Sequence, residues 1–396
     1  MNVVYRLISL VLFLVGAAAS PWAESVLVRS IKVTGNRSTD PAVVRALVVE
    51  AREGQSVDRA DLEAALPLLE ARLTATGYFV AVRAAVVDSP RQPGAVNLVI
   101  EVEEGFGFRF GGGPVYASFG VPNLGGQGKD LSLTAGTTIQ ALGFADRNLP
   151  VPGLSYTLGA QNRSVEYRDD RIAHRESRWG ASGALSQDWG GGWTTSVSAS
   201  AQGFYAGDLA DPGLRFVPGL GISWVRTDGW FSPRQGARLG LDHRSILPLG
   251  LHRESADLRA YLDLEPLFLK AAFRVQGAVL MGPPPEARDA LSLSGSAVRK
   301  PFSEGDLGRG LAVGSVELRT RGLGFALAGF VPVEVEPALV ADTGAVWGSA
   351  GQPTLASAWG GALRVRFADP VNLVLNLEAT VSGGQSLVAF TTEAPF

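Results

Sequence analysis

Residues 193–205 read Trp193-Thr194-Thr195-Ser196-Val197-Ser198-Ala199-Ser200-Ala201-Gln202-Gly203-Phe204-Tyr205. The odd positions carry Trp193, Val197, Ala199, Ala201 and Tyr205, and the even ones Thr194, Ser196, Ser198, Ser200 and Gln202. A period of two is the period of a strand, whose side chains alternate between opposite faces. One face can then meet lipid while the other meets a watery lumen, the condition for crossing a membrane as a closed barrel. The pattern recurs downstream. Ala256, Leu258, Ala260, Leu262 and Leu264 stand against Asp257, Arg259 and Asp263. Leu363, Val365 and Phe367 alternate with Arg364 and Arg366, and after an Asp369-Pro370 turn Val371, Leu373, Leu375 and Leu377 begin the next apolar face. Two such runs joined by so few residues make a tight hairpin.

The remaining composition narrows the class. The chain has 396 residues, 49 glycines, no cysteine and a formal charge of −3. Without cysteine there is neither a disulfide framework nor a thiolate metal site. The near-neutral balance and the lack of a basic patch argue against a nucleic-acid partner. His174, His243 and His252 are scattered, so no metal or other cofactor is expected. Arg6, the apolar run Leu7 to Val15 and the small residues Gly16 to Ser20 make a secretory signal peptide, residues 1–23. Cleavage falls between Ala19 and Glu24, with Ala17/Ala19 and Pro21/Ala23 as the available pairs. No later run is long enough for a spanning helix, and an exported chain with barrel patterning belongs in a bacterial outer membrane.

Residues 24–104 read differently. Val26 to Thr34 is a strand, ended by Gly35-Asn36. Asp40 caps a helix opened by Pro41, and Gly54 breaks it. A second helix runs from near Asp58 to about Thr76, with Leu62, Leu66, Leu69 and Leu73 at helical spacing and Pro67 expected to bend it. Phe79 to Asp88 and Val96 to Val102 supply two more strands. The order β-α-α-β-β describes a minimal α+β domain, just large enough to fold alone.

The Gly35-Asn36 opening, the Gly77-Tyr78-Phe79 turn and the closing strand Val99 to Gly105 resemble a POTRA domain. Residues 105–396 are similar to the barrel of the outer-membrane assembly and translocation superfamily, of the BamA/TamA, bacterial surface antigen and two-partner-secretion type. The matching pieces are Asn123-Leu124-Gly125-Gly126-Gln127-Gly128, Pro233 with Gly236, Val298-Arg299 with Phe302, and Ala341-Asp342-Thr343-Gly344. The resemblance implies a transmembrane antiparallel β-barrel of about sixteen strands preceded by one small periplasmic POTRA domain. It also implies that a long extracellular loop enters the lumen, where Arg299 meets Asp342 and Glu317. Lys300-Pro301 stands where the family has glycine, and Val340 where it has phenylalanine.

A second candidate site is the barrel seam. The first strand, near Phe106 to Gly112, contains Gly107, Gly111 and Gly112. The last, about Leu387 to Phe396, contains Pro395, which lacks a ladder donor. A weakly closed seam would admit a client strand, and the terminal Phe396 fits the aromatic signal of the family. The implied function is a translocase or insertase for an unfolded client polypeptide, in contact with outer-membrane lipid and leaving room for an accessory lipoprotein. A two-partner-secretion exporter and a passive porin or structural barrel are the alternatives. No Gly-x-Ser-x-Gly motif occurs, and no histidine shows a convincing constellation with a serine and an acid, so an enzyme is not expected.

Overall fold

The computed structural model describes residues 25–105, 108–113, 116–169, 172–206, 213–227, 233–285, 289–293, 298–299, 307–327, 331–348, 353–367 and 373–391. The expected signal peptide, Gly107, Lys300-Pro301, Phe302, Asp369-Pro370, Pro395 and Phe396 lie outside the described residues.

The N-terminal module is a four-stranded sheet with two helices on it. The sheet order is β2 (Ser56–Asp58), β1 (Ser25–Thr34), β4 (Ala95–Glu104), β3 (Phe79–Asp88), with β1 and β4 parallel and the other pairs antiparallel. The first helix, Pro41–Ala46, starts where the Asp40 carboxylate accepts the Ala42 N–H at 2.8 Å. The second, Arg59–Ala75, is capped by Asp58, which accepts the Asp61 N–H at 3.0 Å. Pro67 sits inside the second helix without ending it. Leu62, Leu69 and Leu73 from that helix join Val43 and Val44 over Val28, Leu98 and Ile100 in a single core. Burial of each such side chain is worth about 1.5–3 kcal/mol, enough to hold a small sheet. The strand β2 is the departure from the expected β-α-α-β-β order. Its three residues pair with the start of β1, and a run that short carries no period of its own.

The module rests on the near ends of the following hairpins. The turn Asn123 to Gly128 is its platform. The Asp40 N–H reaches Gly126 O at 2.9 Å, and Asn123 Nδ2 donates to Thr39 Oγ1 at 2.7 Å. Gly126 has φ +74°, and a Cβ there would lie 1.9 Å from Ser38 O, so this position admits only glycine. Farther along, the Gly153 N–H bonds Ala46 O at 2.8 Å. Arg72 bridges Glu50 at 2.7 Å and Asp188 at 2.8 Å.

Glu104 closes the module from the other side. Its carboxylate accepts the Thr39 N–H at 2.6 Å, the Ser38 N–H at 2.9 Å and the Ser38 hydroxyl at 2.7 Å. Partial burial pushes its pKa up, but the Thr39 and Ser38 donors outweigh that and hold it at about 2, against 4.5 for a free glutamate. A depressed carboxyl stabilises the folded form above its unfolded pKa, and that contribution disappears as pH falls toward 2. After discounting for partial exposure, about 1–2 kcal/mol should be lost between pH 4.5 and 2. Both described α-helices lie in the module, so thermal melts followed by helical circular dichroism report on it. Glu104→Gln should remove most of the acid sensitivity in that window.

Sixteen antiparallel strands form the barrel. They begin with β5 (Arg109–Gly113), β6 (Tyr116–Val121), β7 (Lys129–Gly136), β8 (Ile139–Asp146), β9 (Leu154–Asp169) and β10 (Ile172–Gly190). Next come β11 (Trp193–Ala206), β12 (Leu214–Thr227), β13 (Gly236–Ile246), β14 (Leu251–Leu264) and β15 (Leu269–Met281). The loop after β15 contains a two-residue pair, β16 (Leu291–Ser292) with β17 (Leu307–Gly308). The following strand is β18 (Gly310–Thr320), continued past a bulge by β19 (Leu323–Leu327), since Arg319 pairs with Ala338 and Leu323 with Val335. The last four are β20 (Val331–Trp347), β21 (Thr354–Phe367), β22 (Leu373–Ser382) and β23 (Gln385–Thr391), and β23 lies beside β5 to close the cylinder.

Outward positions carry apolar side chains that nothing in the chain covers, such as Val275 at 61% and Leu355 at 75% exposure. Trp193 and Trp224 pair at the module end with ring centroids 6.2 Å apart, and Trp189 bonds Thr195 beside them. Such an aromatic girdle borders the apolar band of a membrane barrel. No described helix is long and apolar enough to cross a membrane.

Candidate functional site

Inward-facing positions on β18, β20, β21 and β22 converge on the loop that joins β15 to β18. On β18 the lumen row is Leu311, Val313, Ser315, Glu317 and Arg319, while Val316 and Leu318 point out. On β20 it includes Glu336, Val340, Asp342, Gly344 and Val346. Arg364 of β21 and Asn376, Glu378 and Thr380 of β22 complete the wall.

The loop enters this lumen and packs there. Leu291, Leu293 and Val298 are buried against Leu280, Leu311, Val313, Val346 and Ala358, an apolar stopper near the far mouth. Gly344 makes room for it. A Cβ at that position would meet Leu293 Cδ1 at 2.8 Å and Val298 Cγ2 at 3.0 Å.

Below the stopper, Arg299 is held on every side. Its guanidinium reaches Glu317 at 2.6 Å, Asp342 at 3.2 Å and Glu378 at 3.3 Å. Its backbone N–H donates to Asp342 Oδ2 at 3.0 Å, and its carbonyl accepts the Thr380 hydroxyl at 2.6 Å. One residue of the loop is therefore bound to three different strands through both side chain and backbone. A planar guanidinium can serve several carboxylates at once, where lysine offers a single point charge.

Glu317 is the hub of the layer. It is fully buried and also takes Arg364 at 2.5 Å and Arg319 at 2.9 Å. One turn of the wall lower, Lys270 pairs with the buried Glu336. Four cations (Arg299, Arg319, Arg364, Lys270) thus face four carboxylates (Glu317, Glu336, Asp342, Glu378). The balance matters because an unpaired charge in such a site costs several kcal/mol.

Among the residues the sequence singled out, Val298, Arg299, Glu317, Asp342 and Gly344 come together here. Phe302 lies outside the described residues. At the seam, Gly111 pairs with Ser118 and Gly112 with Ala117 across β5 and β6. Gly107, Pro395 and Phe396 lie outside the described residues. Arg319, Arg364, Glu378, Lys270 and Glu336 were not foreseen as partners. Their parity within the strands was visible, but their meeting depends on register across neighbouring strands.

Among known proteins, the POTRA family model, described as a surface antigen variable number repeat, matches residues 26–105. The chain carries a POTRA domain followed by a barrel. The whole POTRA-barrel fold superposes on BamA from Haemophilus ducreyi lacking POTRA domains 1–3, with TM-score 0.55, 14% identity, and 92% of this chain and 83% of that chain covered. It also superposes on CdiB from Acinetobacter baumannii (TM-score 0.57, 13% identity, 93% and 74% covered). CdiB from Escherichia coli gives 0.52, 13%, 95% and 91%. At these identities the likeness is one of fold. No curated protein sequence matches the chain.

Proposed function

We propose that this POTRA barrel is an outer-membrane translocase or insertase that receives an unfolded client polypeptide in the periplasm and passes it across or into the membrane. The observation that carries the reading is the clamped loop. A passive porin needs an open lumen, whereas here the loop between β15 and β18 folds inward and is clamped to the wall by an apolar cluster and Arg299. The POTRA sheet ends on one side in β3, ten residues long and unpaired along its outer edge in the strand order. An extended client can add there through backbone hydrogen bonds with little demand on its sequence. Glu70 Oε1 already takes the Ala84 N–H at 2.7 Å, so an incoming strand has to displace that carboxylate. Transport of this kind makes and breaks no covalent bond. The glycine-bearing β5 next to β23 is the place for a client strand to enter the wall. Outer-membrane lipid surrounds the apolar belt, and an accessory lipoprotein would act from the periplasm.

The fold shared with the CdiB barrels makes a two-partner-secretion exporter the second reading. Planar-bilayer recording tests the first. The native protein should show small, flickering conductance, and Arg299→Ala should raise it severalfold by freeing the loop. Photo-crosslinkers placed along β3 should trap a polypeptide. Finding that client in the medium favours the exporter, and finding it in the membrane favours the insertase. Large steady conductance that Arg299→Ala leaves unchanged, with no trapped client, would return the porin.

A further inference from the structure

On the outer face of the β13–β14 hairpin, four polar side chains interrupt the apolar belt. The outward row of β13 runs Leu239, Leu241, His243, Ser245, and the facing row of β14 runs Leu258, Ala256, Glu254, His252. Register sets His243 opposite Glu254 and Ser245 opposite His252. His243 Nδ1 lies 2.6 Å from Glu254 Oε1, and its Nε2 lies 3.2 Å from Ser245 Oγ. Ser245 Oγ is in turn 2.9 Å from His252 Nδ1, and the two imidazoles stack at 5.9 Å. With a neutral His243 whose Nδ1–H donates to the carboxylate, its Nε2 is the acceptor for the single Ser245 proton, and His252 Nδ1–H donates to the hydroxyl oxygen.

We propose that Ser245, His243 and Glu254 are a serine-hydrolase triad acting on the acyl esters of membrane lipids. A carboxylate on one imidazole nitrogen and a hydroxyl on the other is the arrangement that activates a nucleophile. A groove of about 630 Å³ runs beside it across the outer faces of β12 to β15, lined by Leu220, Ile222, Leu241, Val279, His243 and Glu254. It is a shallow, open groove, and its largely apolar lining suits an acyl chain lying along the wall. The hairpin turn that follows Ile246 is at the barrel end away from the POTRA domain, because successive turns alternate ends and the 123–128, 147–153 and 190–192 turns adjoin that domain. Ser245 is one residue from the end of its strand, near that rim of the barrel wall. Placement in the outer leaflet rests on the orientation proposed above, whereas hydrolysis by the purified barrel does not.

The chemistry closes with water alone. Ser245 Oγ adds to the ester carbonyl carbon as its proton passes to His243 Nε2, and Glu254 holds the resulting imidazolium. His252 Nδ1–H is the neighbouring donor for the oxyanion. The carbonyl–alkoxy C–O bond breaks, the His243 proton goes to the departing alkoxide, and acyl-Ser245 remains. Water then adds to the acyl carbon, gives its proton to His243, and releases the fatty acid as that proton returns to Ser245. Glu254 acts through His243 and is a positioning residue.

The test uses the full-length folded protein, its folding checked by heat-modifiable gel migration. It is given p-nitrophenyl palmitate in detergent, phosphatidylethanolamine vesicles and lipid A micelles, and released fatty acid is measured by mass spectrometry. A fluorophosphonate should label Ser245. Release should fall about 100-fold or more in Ser245→Ala and His243→Ala. Glu254→Gln should lower kcat with KM unchanged and shift the acid limb of the pH profile. Release from one lipid probe and not the other identifies the substrate leaflet. A folded barrel that releases no fatty acid from any probe and takes no label at Ser245, or release that Ser245→Ala leaves unchanged, would overturn the assignment.

Discussion

Glu317→Ala should cost the barrel about 3–5 kcal/mol, the expected penalty for removing one partner of a buried ionic group. Arg299, Arg319 and Arg364 all rely on this carboxylate, so its loss turns a balanced layer into one with an excess positive charge. The strands are continuous on both sides and cannot relax far to admit water. Heat-modifiable migration in detergent gels should show a melting temperature lower by on the order of 10 °C. Glu317→Gln keeps the shape and some of the hydrogen bonds, and should lose less. If Glu317→Ala melts as the native protein does, the arginines do not depend on that carboxylate.

Gly344→Leu should drive the loop out of the lumen without touching any charge. The new side chain would claim the space of Leu293 and Val298, and overpacking of this kind costs about 1–3 kcal/mol. Since about 1.4 kcal/mol is a tenfold change in population, the loop should open roughly 10- to 100-fold more often. Trypsin reports it cleanly. Arg299 is followed by Lys300-Pro301, so cleavage after Arg299 is allowed while the Lys300-Pro301 bond is resistant. Native protein should be protected at Arg299 and the variant cut there in proportion to its opening. Equal protection in both would show that the loop tolerates the added bulk.

Much of this fold is legible in the linear sequence because a barrel strand announces both faces. Val197 against Ser196 and Ser198, or Leu363 against Arg364, says which side meets lipid. The same parity places Glu317 inward between Val316 and Leu318. What parity withholds is the neighbour. Arg364 reaches Glu317 across β20, because Glu317 pairs with Val340 and Val340 with Gly360, four residues from Arg364, and its long side chain covers the gap. Nothing local to either residue encodes that. His243 and Ser245 share a face two residues apart, but that Glu254 joins them was hidden for the same reason. The cluster spans a hairpin whose register brings residues eleven apart in sequence into contact. In the POTRA domain the helices declared themselves through Asp40, Asp58 and leucine spacing, whereas β2 exists only because β1 offers it an edge.

The hydrogen bonds between Ser38–Asp40 and the Asn123–Gly128 turn have a mechanical consequence. That turn joins β6 to β7, and β6 is the immediate partner of β5. On the proposed reading, a client held by the POTRA domain would load one lip of the closure, while β23 on the opposite lip is anchored through β22 to the Arg299 layer. Such a load would act as a crowbar between β5 and β23, coupling capture to opening.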